Sequence, residues 1–160
     1  MSHPALGLPP LDETAGYPEA AARLRASKVE VGRRALDAAM RADPTLADRM
    51  GEEGMRALVR DTEIWTDRIA LCVASADPTP MRTWAEQLAP IYRRRRVSMD
   101  DLSRLAEGFR SAVRFALTPV EQPAADAAID AAIEVFRWHR RLAGDARKRN
   151  KLLQLLYKGA

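Results

Sequence analysis

Apolar positions recur at three- and four-residue steps through most of this chain, and no segment alternates with period two between turn residues. That pattern predicts helices and no strands. The clearest stripe follows Gly51 and Gly54. Met55, Leu58, Val59, Thr62, Trp65, Ile69, Cys72 and Val73 fall on one side of a helix of about twenty residues. Upstream, Pro18 suits a first helical turn, and Leu24, Val31, Ala35, Leu36 and Ala39 share a face of one helix that Asp43-Pro44 ends. Downstream, Thr79 as N-cap and Pro80 at the first helical position open a stripe of Met81, Trp84, Leu88 and Ile91. Pro90 lies inside that stripe and predicts a kink or a fresh start before Tyr92.

Ser98, followed by Asp100 and Asp101, reads as an N-cap with acids in the first turn, where the helix dipole favours negative charge. Leu102, Leu105, Ala106, Phe109, Val113 and Ala116 carry the apolar face to Leu117, and Thr118 with Glu121 repeats the cap signal. The last segment forms one helix bent at Gly144 or two helices split there, with Gly159 in a C-cap position. The expected architecture is all-α: a single-domain bundle of five or six helices over residues 17–160. Residues 1–16, rich in proline and glycine, are expected to form a flexible N-terminal arm.

Composition narrows the picture. A chain of 160 residues buries a core without staples. A single cysteine, Cys72, excludes an intramolecular disulfide and suits a reducing compartment. No basic leader precedes an apolar run and no stretch approaches membrane-span length, so a cytoplasmic location without a transmembrane segment is expected. The formal charge of +4 is uneven: from Arg137 onward eight Lys or Arg face the single acid Asp145, a net +7, leaving −3 on residues 1–136.

Arginines 93–96 are consecutive, and consecutive helical residues point about 100° apart. The run therefore wraps around a helix end, where cations meet the negative end of the dipole. The C-terminal set, Arg137, Arg140, Arg141, Arg147, Lys148, Arg149 and Lys151, is a candidate basic partner surface. It would neutralise phosphates if nucleic acid were the partner, but no base-reading motif or stacking platform accompanies it. Leu152, Leu153, Leu155 and Leu156 make this tail amphipathic, suited to packing within the protein or in a homodimer, or to an anionic membrane surface.

Candidate chemistry is sparse. His139 is the one histidine outside the arm, and haem is not expected because this position lies close to the chain end. Asp126, Asp130 and Glu134 share a helix side without the Glu-x-x-His pairs of a di-iron bundle; they are expected to answer arginines, with Arg104, Arg110 and Arg114 available. No nucleophile elbow, phosphate loop, dinucleotide fingerprint or zinc spacing occurs, so no cofactor, no metal and no catalysis are expected. Trp65, Trp84 and Trp138 are all expected near the inward side of their helices, as core or as the walls of a ligand pocket with His139.

Trp84 and Leu88 followed by "YRRRRVSMDDLSRLAEGFRSAVRFAL" form a pattern that resembles the helical N-terminal sensory domains of bacterial stressosome co-antagonists (RsbR type). The matching positions are Tyr92, Val97, Asp100, Asp101, Leu102 and Arg110, within Trp84 to Leu117. The resemblance implies a globin-like bundle without haem that dimerises and passes a signal to an output domain; it fixes no functional residue. With no output domain in the residues up to Ala160, docking to a separate partner is the expected mode. The leading reading is a non-enzymatic regulatory or sensory domain, homodimeric, binding a protein partner or small ligand. A nucleic-acid-associated protein using the basic tail is the alternative, and a cofactor-binding enzyme the third.

Overall fold

The computed structural model describes residues 10–149, with side chains described as far as 142. Among these residues it holds six α-helices and no strand: α1 Pro18–Ala26, α2 Lys28–Ala42, α3 Leu46–Ser75, α4 Thr79–Arg94, α5 Met99–Ala112 and α6 Gln122–Arg149, with a 3-10 turn at Val113–Phe115. The all-α bundle expected from the apolar pattern is thus the fold. None of the described helices is long and apolar enough to cross a membrane.

Local chemistry accounts for the boundaries. One helix was expected from Pro18 to Ala42, yet the chain breaks at Ser27. Its Oγ donates to the Arg23 carbonyl at 2.6 Å, and its N–H is shared between the Arg23 and Leu24 carbonyls. A serine that back-bonds in this way competes with the helix. Gly51, at φ 67° and ψ 175°, interrupts the first turns of α3, so the regular stretch after it is the amphipathic helix read from the sequence. The start of α4 is held by Asp77, whose Oδ1 accepts the Thr79 N–H at 2.8 Å, in place of the expected Thr79 cap. No new start occurs at Pro90: α4 runs through it to Arg94, the ring facing solvent. Ser98 caps α5 as expected, its Oγ accepting the Asp101 N–H at 3.0 Å. α6 is a single helix that continues past Gly144.

The arginine run closes α4. Arg96 takes the left-handed conformation, φ 62°; its N–H reaches the Arg93 carbonyl and the Val97 N–H the Tyr92 carbonyl. These are the two bonds of a Schellman C-cap, with Val97 and Tyr92 as its buried apolar pair. An arginine stands where glycine is usual.

Packing centres on α2, which crosses α5 and α3, while α6 lies on α5 and α4, and α1 on α3. Gly108 of α5 presses against the Ala35 carbonyl of α2, and Gly32 of α2 against Thr62 of α3, leaving no room for a Cβ at either crossing. Leu24, Ile69, Met81, Leu102, Leu105, Phe109, Ile129 and Phe136 are fully buried, each contributing roughly 1.5–3 kcal/mol. Val59 and Ile91, counted with the apolar stripes, instead face solvent. An ionic clasp ties the α2–α3 turn to α5: Arg49 and Arg104 each bridge Asp43 and the buried Asp101 at 2.6–3.1 Å.

α4 packs mainly on α6 and touches α3 only lightly, and a groove opens between α3 and α4.

Candidate functional site

The site is built from the centre outward. Trp65, fully buried on α3, stacks on Phe109 of α5 with ring centroids 5.4 Å apart, meets Phe136 of α6 at 5.8 Å, and receives Trp84 of α4 edge-on at 5.2 Å. Such aromatic pairs add about 0.5–1.5 kcal/mol beyond area burial. Among the described residues the Trp65 Nε1 donor has no hydrogen-bond partner. Trp84 is half-buried: one side joins this cluster and the other lines the groove.

The groove has a volume of about 750 Å³ and a mainly apolar lining in which Trp84, Leu11 and Pro80 are the large surfaces. Residues 10–15 form one wall, although they belong to the arm expected to be flexible. They are anchored where they meet the end of α3: the Gly16 N–H donates to the Ala74 carbonyl at 2.8 Å and the Tyr17 N–H to Val73 at 2.9 Å. Two orphan carbonyls of α3 are thereby satisfied. A Cβ on Gly16 would lie 2.5 Å from the Ala76 nitrogen and the Val73 oxygen, so only glycine fits. Residues 1–9 lie outside the described part.

Arg68 of α3, with Thr83 and Gln87 of α4, faces into the groove, and Asp12 and Asp77 complete its polar rim. These long and polar residues stand where apolar contacts would have drawn α3 and α4 together. Cys72 lies beneath, buried, its thiol pushed up to about 11 by burial. It is an inert core thiol and no nucleophile.

At the other end of the α3–α4 seam is a smaller hollow of about 280 Å³, walled by Arg49, Asp61, Tyr92, Arg95 and Arg96. Tyr92 donates its hydroxyl to Asp61 Oδ2 at 2.6 Å, and Arg95 approaches the same carboxylate at 3.4 Å. Burial, reinforced by Asp61, holds the Tyr92 phenol far above its ordinary range, so it remains a donor.

The other sequence candidates go elsewhere. Trp138, expected inward, is 55% exposed on α6, because Ala132, Val135 and Phe136 take the inner stripe; the Arg141 guanidinium lies 5.9 Å from its ring centroid. His139 is half-buried with Nδ1 enclosed and, among the described residues, without a partner, and it lines no part of the groove. Burial, joined by the charge of Arg93, lowers its pKa. Arg140 is bound to Asp100 at 3.1 Å, and Arg137 lines a separate hollow between α2, α5 and α6. Arg147, Lys148 and Arg149 belong to α6, but their side chains, like all of Lys151, lie outside the described part. The acids of α6 meet arginines as expected: Arg110 holds Asp126 at 3.1 Å and also Asp130, while Arg82 of α4, not foreseen, takes Glu134 at 2.7 Å.

Of the four pocket residues named from sequence, then, only Trp65 and Trp84 come together. Arg68, Asp77 and the Leu11 segment were missed; the one signal for them was a charged residue, Arg68, close to the apolar stripe of α3. No protein-family model, curated protein or solved structure matches the chain.

Proposed function

We propose that this chain is a non-enzymatic regulatory or sensory helical domain that binds a small ligand in the groove beside Trp84. The observation that carries the reading is the double role of Trp84, which is at once a wall of the groove and the edge of the Trp65 cluster. An occupant pressed on Trp84 would favour one packing of α4 over another, and Trp65 would convey the shift to α5 and α6, whose phenylalanines it touches. Pockets of this size and mixed lining suit small organic ligands. The sensory part of the proposal also draws on the resemblance of Trp84 to Leu117 to stressosome sensory domains.

The test is native mass spectrometry of the protein purified from its own cells, beside a groove-filling variant, Thr83→Trp. The wild type should carry a defined extra mass that the variant lacks; the same mass on both, or none on the wild type, would contradict the reading. We assign the expected homodimer contact to Trp138 and Leu142, exposed large apolar side chains one turn apart on α6. Trp138→Arg should then sediment as a monomer where the wild type sediments as a dimer.

A further inference from the structure

The groove holds opposite charges that do not meet. Arg68 is half-buried in its lining, and among the described residues no carboxylate is within ion-pair reach of it. The acids around it on α3 are committed elsewhere: Glu63 and Asp67 face Lys28 of α2 at 3.5 and 3.6 Å, and Asp61 is held by Tyr92 and Arg95. Across the groove, Asp77 uses Oδ1 to hold the Thr79 N–H, and Asp12 uses Oδ1 for the N–H and hydroxyl of Thr14. The Oδ2 atoms of both have no partner among the described residues. Arg68, four residues before Cys72 on α3, and Asp77, just past the end of that helix, line the same groove.

A half-buried guanidinium in a mainly apolar lining without a counter-charge is costly, while the carboxylates of the rim keep acceptors free for a cation. A plain anion would satisfy Arg68 and be repelled by the two aspartates; a plain cation would meet the reverse. A ligand carrying both charges satisfies both sides at once, with its apolar part on Trp84 and Leu11.

We propose that the groove takes a zwitterionic ligand, an α-amino acid with an apolar or aromatic side chain, its carboxylate on Arg68 and its ammonium on Asp77 and Asp12. This rests on the groove being a ligand site and goes beyond that by naming the ligand's charge pattern. The volume also leaves space for water around such a ligand.

The experiment compares three probes with one indole body by isothermal titration: L-tryptophan, N-acetyl-L-tryptophan, which lacks the ammonium, and tryptamine, which lacks the carboxylate. L-Tryptophan should bind about tenfold more tightly than either, the loss of one charged hydrogen-bonded pair. Arg68→Gln should bring L-tryptophan down to the level of tryptamine, and Asp77→Asn, which keeps the cap on α4, should bring it towards N-acetyl-L-tryptophan. Equal binding of all three, tighter binding of either singly charged probe, or no binding of any at millimolar concentration overturns the zwitterion. The groove itself is checked separately with anilinonaphthalene sulfonate. Uptake by the wild type that Thr83→Trp abolishes leaves the ligand site standing when the zwitterion fails, and equal uptake by both removes the site as well.

Discussion

The crossings of α2 and the seam between α3 and α4 are opposite solutions to the same problem of laying one helix on another. At the crossings the chain places Gly108 under the Ala35 carbonyl, where the backbones all but touch, and Gly32 against the Thr62 side chain. Along the seam it places Arg68, Thr83 and Gln87, side chains too long or too polar to interlock, although Trp84 still reaches Trp65. Helix separation follows the size and polarity of the facing side chains. Glycine closes one interface and arginine spaces the other, and Trp65 touches both sides through Phe109 of α5 and Trp84 of α4.

The comparison breaks most sharply at Gly108. Gly108→Ala drives a methyl into backbone that cannot yield and should cost at least about 3 kcal/mol by urea unfolding; a loss under about 1 kcal/mol would mean that the crossing is as adjustable as the seam. Tyr92→Phe at the seam should cost less, about 1.5 kcal/mol, the worth of a hydrogen bond to a charged acceptor. Asp61 keeps Arg95 in that variant. Arg96→Gly should raise stability by about 1 kcal/mol, since glycine adopts the left-handed cap without strain, and Arg96 holds no ion pair among the described residues. The smallest effect is that of His139. Its pKa is lowered from 6.5 by burial and by Arg93, with Glu86 opposing, so the fold prefers the neutral ring. Its contribution is present above the unfolded pKa and is lost as pH falls through the folded value. Between about pH 7.5 and 5.5 the wild type should therefore lose more stability than His139→Gln; equal losses would show that the ring titrates freely.

Much of the fold was legible because its signals are local. The stripes from Leu24 to Ala39, from Thr62 to Val73 and from Leu102 to Leu117 are buried as their spacing requires, and the Ser98 cap forms with the bond its residue type offers. The arginine run is a helix end for the geometric reason given from sequence, although nothing local marks Arg96 as the left-handed residue. What escaped is non-local. Trp138 turns outward because Val135 and Phe136 already occupy the inner face, and the groove needs α4 leaning on α6 while residues 10–15 anchor on the end of α3. A sequence names tryptophans; only the packing says which of them meet.

The central claim is that Trp84 couples the groove to the core, and fluorine NMR of fluorotryptophan-labelled protein tests it directly, because the chain has three tryptophans in three distinct settings. On titration with anilinonaphthalene sulfonate or L-tryptophan, the Trp84 resonance should move most, Trp65 should move with it at the same ligand concentration, and Trp138 should stay in place. A shift confined to Trp138, or a Trp84 shift that leaves Trp65 unmoved at saturation, would contradict the account.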